Sequence, residues 1–216
     1  NAGASGASGR LVFSSGSASG GNSGALYLGS GVATGGRGGM VSISVGGDTS
    51  ASGGALSVLS GRSTVHSGGA LSLESGEGTA TSSGVISIRS ANAGAAGVSG
   101  GVSLSTGSST AGDSGSISMS SGQAVGGKAG DISLSVGSGD TGAGGKVVIS
   151  AGESTASASG GDISLRTGFS TQTSSGSLTM ETVDAGSSGV SGDISFETGQ
   201  SSAGDSGSIT WSSGQA

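Results

Sequence analysis

Pairs of apolar residues, one position apart, recur along the whole chain at a nearly constant interval. The unit is Gly-x-φ-x-φ-x-x-Gly, with φ apolar and with small variations. Its first seven pairs are Leu11/Phe13, Leu26/Leu28, Val41/Ile43, Leu56/Val58, Leu71/Leu73, Ile86/Ile88 and Val102/Leu104. Seven more follow as Ile117/Met119, Ile132/Leu134, Val147/Ile149, Ile163/Leu165, Leu178/Met180, Ile194/Phe196 and Ile209/Trp211. Successive pairs lie 15 residues apart, except for steps of 16 after Ile86, Val147 and Leu178. Ile132 and Leu134 fall on one side of a period-two segment, and Asp131, Ser133 and Ser135 on the other. That alternation predicts a half-buried β-strand. Glycines such as Gly107, Gly122, Gly137 and Gly152 follow the pairs and suit tight turns. The other half of each unit is built of small residues, as in Ser154-Thr-Ala156 and Thr79-Ala-Thr81. It is expected to form a second, shorter strand whose Ala or Val faces the first.

A longer period of six units lies above the short one. Asn1-Ala-Gly-Ala restarts at Asn92-Ala-Gly-Ala and, more loosely, at Asp184-Ala-Gly. Ala111-Gly-Asp-Ser-Gly-Ser-Ile117 returns as Ala203-Gly-Asp-Ser-Gly-Ser-Ile209. The chain therefore reads as one array, residues 1–216, with super-repeats 1–91 and 92–183 and a partial third at 184–216. Asn1 stands first in place of Met, the third copy stops part-way, and no capping element is visible at either end. The array is accordingly expected to continue, covalently or by end-to-end contact with another copy.

Ordering a residue costs roughly 1–2 kcal/mol, and a buried aliphatic returns about 1.5–3 kcal/mol, so one unit with two aliphatics cannot fold alone. Stacking the units would give each strand two neighbours and join the φ pairs into a thin core. The predicted fold class is thus all-β, a parallel β-solenoid or β-helix of fourteen units. One unit per coil would set Glu74 beside Arg89, Arg166 beside Glu181, and Lys146 between Asp131 and Asp162, as cross-strand pairs prefer. Two units per coil would relate Arg166 to Glu197 and leave Asp131, Asp162 and Asp193 as an acidic column. The first arrangement is the preferred one.

Composition narrows the function. Of 216 residues 51 are Gly, with no Pro and no Cys. Such a composition by itself suits a flexible linker, but a linker has no reason to hold a 15-residue register. Seven basic residues stand singly in a chain of net charge −6, so no basic stripe is offered to nucleic acid. No apolar run approaches the ~20 residues that span a bilayer, so membrane insertion is not expected.

Little chemistry is visible. His66 is the sole histidine and has neither a thiol nor a second His beside it for a metal or a triad; it reads as a solvated turn residue. Gly122-Gln-Ala-Val-Gly-Gly-Lys128 follows a phosphate-binding loop as far as Lys, but Ala129 stands where Ser or Thr must hold Mg²⁺. Asp113, Asp140 and Asp205 lie in Gly-rich turns without the spacing of calcium-binding nonapeptides. No catalytic residue, cofactor or metal is expected. The surface feature that stands out is a column of hydroxyls at Thr34, Thr49, Thr64, Thr79, Thr110, Thr155 and Thr171, doubled by Thr81 and Thr173. Val12, Tyr27, Leu59, Val148 and Phe169 add scattered outward apolar groups.

The repeat Ser-Gly-Asp-Ile-Ser-Leu…Thr-Gly resembles the Gly/Ser-rich tracts of large extracellular surface, filament and adhesin-like proteins of microalgal and protist type. The resemblance covers the whole chain and implies an extracellular or cell-surface structural role without catalytic residues. The Thr rows also resemble those of insect β-helix antifreeze proteins, from which this chain departs by lacking disulfides and by having Thr-x-Thr in two units. The expected function is a structural extracellular rod, filament segment or surface stalk; the alternative is an ice- or crystal-binding face formed by the nine threonines.

Overall fold

The fold was examined in a computed structural model, which describes residues 7–49 and 51–215. The Asn1-Ala-Gly-Ala start of the first super-repeat and Ala216 of the last lie outside the described residues. The chain divides into two units, Asn1–Ser105 and Thr106–Ala216, each carrying seven φ pairs. The division falls inside the second super-repeat.

Among the described residues there is no helix and no β-strand. This overturns the all-β solenoid, and with it the β-helix, both coil sizes and the stacked core. Every φ side chain is exposed, from 49 % at Ile209 to 78 % at Leu28. Ile117 and Met119, expected inside, face solvent. The expected short second strand fails as well: Val65, Val98, Val125 and Val190 are 81–97 % exposed and face nothing. The chain keeps 21158 Å² accessible, whereas a compact chain of its mass keeps about 8,500 Å².

The repeat is nonetheless written into the backbone. Chain reversals occur at 19–21, 34–36, 49–51, 64–66, 79–81, 95–97, 110–112, 125–127, 140–143, 156–158, 171–173, 187–188 and 202–204, with Ser50 outside the described residues. Thirteen reversals thus separate fourteen φ pairs. Each is flanked by a close approach between the glycine that stands two places before a φ pair and a residue nine or ten places earlier. A β-carbon placed at Gly24 would meet Ser15 Cβ at 3.5 Å, and one at Gly84 would meet Ser75 Cβ at 3.3 Å. The same contact joins Gly115 to Thr106, Gly130 to Ser121, Gly176 to Thr167 and Gly207 to Thr198. At Gly54 and Gly145 the valine methyls of Val45 and Val136 would lie 2.6 Å away, so a β-carbon there would require the valine side chain to shift. Four loops add a backbone bond across this neck, in which Gly69, Gly84, Gly161 and Gly176 donate to the carbonyls of Gly61, Gly76, Gly152 and Gly168 at 2.8–3.0 Å. At Gly39, Gly54, Gly69, Gly84, Gly145 and Gly161 the approach is tighter than an ordinary β-carbon contact, so in these loops the leading glycine of the motif is a close-approach residue.

The 16-residue steps find their explanation here. In three loops the close approach spans ten residues, Ser90 to Gly100, Ala151 to Gly161 and Thr182 to Gly192; elsewhere it spans nine. These are the loops after Ile86, Val147 and Leu178. The extra residue is absorbed inside the loop and the neck is kept. A serine inserted between Ser109 and Thr110 should therefore leave the Thr106–Gly115 neck in place. Its nuclear Overhauser contact from the Thr106 methyl to the Gly115 α-protons should persist, and loss of that contact would show that the loop does not absorb an extra residue.

Shelter is distributed opposite to the expectation. The described residues that are half-buried are Ser75, Gly78, Ser90, Ser154 and Ser170. All belong to loops, while the aliphatics lie in water. The reason is the cost of distance along the chain. A nine-residue closure places local partners together, whereas pairing φ segments 15 residues apart must order whole repeats of glycine-rich backbone, the most entropically costly kind. Two aliphatics per repeat do not offset that ordering. Ile132, expected in a coupled core, is 65 % exposed. The substitution Ile132→Asp should accordingly leave the Ser121–Gly130 and Val136–Gly145 necks unchanged, within about 0.5 kcal/mol as for ordinary surface changes. Chemical-shift comparison of the two proteins checks this.

Candidate functional site

The loops are the part of the molecule with defined internal geometry. Asp48 Oδ1 accepts from the Ala51 amide at 2.8 Å, and Ser63 Oγ accepts from the amides of Val65 and His66 at 3.3 and 2.9 Å. Ser170 Oγ does the same for Gln172 and Thr173 at 3.3 and 3.0 Å and also meets Thr173 Oγ1 at 3.0 Å. In each case a short polar side chain one residue ahead of the reversal replaces the missing backbone partner, as such residues do in turns. At two of the reversals preceded by glycine the glycine's own carbonyl serves: Gly97 and Gly189 donate to Gly94 and Gly186 at 3.2 Å. The reversals that carry Gly126 and Gly142 use φ of +78° and +81°, a region that side chains with a Cβ rarely enter. Sequence reasoning missed the capping role of Asp48, Ser63 and Ser170. The signal was present, since each lies immediately before the small-residue run of its repeat.

The nine threonines lie on these reversals. Thr34, Thr49, Thr64, Thr79, Thr110 and Thr171 open them, Thr155 immediately precedes one, and Thr81 and Thr173 close two. The nine thus stand at or beside the corners of seven loops. No strand carries them among the described residues, so no pleated face sets them in a plane. His66 closes the 64–66 reversal and is exposed.

Charges remain in water. Lys128 Nζ pairs with Asp131 Oδ2 at 3.1 Å, three residues on, with both side chains more than three-quarters exposed. Such a pair contributes little to stability. It also takes up the lysine of the Gly122–Lys128 run, whose backbone turns through 125–127. The cross-repeat pairs Glu74–Arg89, Arg166–Glu181 and Lys146 with Asp131 or Asp162 do not form among the described residues. Their reason for forming was strand adjacency, which is missing. No cluster of three or more His, Cys, Asp or Glu that would hold a metal ion occurs among the described residues.

A shallow cleft occurs in each unit. A cleft of about 260 Å³ is lined by Arg89, Ser90, Ala91 and Asn92. The larger, about 480 Å³, is lined by Leu165, Arg166, Thr167, Gly168, Phe169, Ser175 and Leu178. Both lie beside the arginine that follows a second φ residue. The larger has the size of a ligand site, but a small-molecule pocket encloses most of its ligand. Phe169 is 87 % exposed and Leu165 64 %, so this cleft lies open to solvent.

The aromatic contact of the chain is between repeats. Phe196 and Trp211, the second φ residues of consecutive repeats, meet edge to face with ring centroids 5.6 Å apart and planes at 82°. No helix among the described residues is long and apolar enough to cross a membrane. Comparison with protein-family models, with curated proteins and with solved structures finds no match to this chain.

Proposed function

We propose that the chain is an extracellular structural repeat segment, part of a filament or a surface stalk, and that it acts through its spacing without catalysis. The observation that carries this reading is the constancy of the loop neck. Thirteen loops close on a leading glycine, and three of them take in an extra residue without losing the contact. Reactive side chains hold no comparable register: the lone His66 and the scattered aspartates occupy different places in different repeats. A chain that repeats its spacing and varies its chemistry is suited to setting a distance. The hydroxyl-rich corners, threonine in seven of the reversals, keep the loops solvated. The partner in this reading is more of the same material, through further repeats or end-to-end contact, and not nucleic acid.

Immunoelectron microscopy of the cells that make the chain tests the reading. Label is expected on fibrous material outside the cell. Label confined to the cell interior would overturn it.

A further inference from the structure

We infer that the exposed φ pairs are a self-recognition surface, and that the partner that covers them is a second copy of this chain lying alongside the first. The inference deepens the structural role proposed above and rests on it. In either unit the fourteen φ side chains are 49–78 % exposed, and none is buried. At roughly 100 Å² of apolar surface for an aliphatic side chain, one unit offers on the order of 800 Å², which is what one partner contributes to a standard interface. Gathered against one partner, apolar surface of this extent would exceed the few hundred Å² of an ordinary exposed patch.

The kind of partner follows from two observations. Phe196 rests on Trp211, so the one aromatic contact between consecutive repeats is made by φ residue on φ residue. What a φ pair accepts is thus another φ pair. The second observation is the interval. The loop necks keep their register through both nine- and ten-residue loops, so a partner that engages successive pairs must present apolar pairs with the same succession. A second copy does so at every repeat. The segments Val102-Ser-Leu-Ser-Thr106, Ile117-Ser-Met-Ser-Ser121 and Ile209-Thr-Trp-Ser-Ser213 carry no charge, so like copies meet there without repulsion.

The test is sedimentation velocity of the full chain over a range of concentration, compared with two five-fold variants. One carries Ile117→Ser, Ile132→Ser, Ile163→Ser, Ile194→Ser and Ile209→Ser. The other carries Val32→Ser, Val65→Ser, Val98→Ser, Val125→Ser and Val190→Ser, at loop valines more exposed than any of the five isoleucines. Because no core is present, neither set removes one. The unaltered chain should associate as concentration rises, with a blue shift of Trp211 emission. The isoleucine set should weaken association at least about a hundredfold, and the valine set by less than about threefold. A chain that stays monomeric throughout overturns the inference, and so does equal weakening by both sets, which marks indiscriminate apolar sticking. Extracellular label with a monomeric chain would leave the structural role standing and remove the partner; association with intracellular label would do the reverse.

Discussion

Replacing Gly78 with alanine should open the loop between Gly76 and Gly84. A β-carbon at Gly78 would run into the backbone of the next arm, at the carbonyls of Ser82 and Thr81. Backbone cannot rotate away as the end of a side chain can, so the arm itself must move. The neck bond from the Gly84 amide to the Gly76 carbonyl, 2.9 Å long, is the first interaction at risk. An exposed bond of this kind contributes about 0.5–1.5 kcal/mol, and the steric conflict adds to its loss. The Gly84 amide should therefore exchange with solvent at about the rate of an unstructured glycine. Gly29→Ala is the matched control, because no atom lies within 4 Å of a β-carbon there. It should leave the spectrum of its repeat unchanged. Equal disturbance by both substitutions would show that the loop has no steric definition.

The second large effect is expected at the aromatic pair. Phe196→Ala should remove the near-ultraviolet circular dichroism of Trp211, the sole tryptophan, because the indole then loses the ring that fixes its orientation. Edge-to-face pairs are worth about 0.5–1.5 kcal/mol beyond area burial, which is enough to populate one arrangement in an open environment. Met180→Ala alters the equivalent position one repeat earlier and should leave the signal intact. Persistence of the signal in Phe196→Ala would place the source of tryptophan order elsewhere.

The parts of this structure that were legible in the sequence are those decided within one repeat. The 15- and 16-residue steps of the φ pairs reappear as the steps of the reversals, and from Gly24 onward the glycine ahead of each pair becomes the neck of a loop. These are short-range consequences of steric size and turn chemistry. What the pattern does not specify is the partner of Ile132 or Leu134. Alternation with period two marks a segment with one apolar side, but whether that side meets its own chain, another chain or water depends on contacts far apart in sequence. The stacked solenoid assumed that the partner was the neighbouring repeat. At Phe196 and Trp211, where the two side chains are large, neighbouring repeats do meet. At Ile163 and Leu178 the side chains stay 54 % and 59 % exposed. The threonines of the column stand at loop corners in place of a strand face, which follows from the same missing pairing.

Amide hydrogen exchange of the dilute, monomeric chain, resolved by residue, measures the central claim directly. Slowed exchange is expected at the loop-closing amides of Gly69, Gly84, Gly161 and Gly176, whose carbonyl partners lie 2.8–3.0 Å away. The amides around the φ pairs, such as Ser133 between Ile132 and Leu134, should exchange at the rate of unstructured chain. Protection that recurs through the φ segments of successive repeats, with the loop amides exchanging freely, would contradict the account, because it would mean that the segments are paired and the loops are not the ordered part of the molecule.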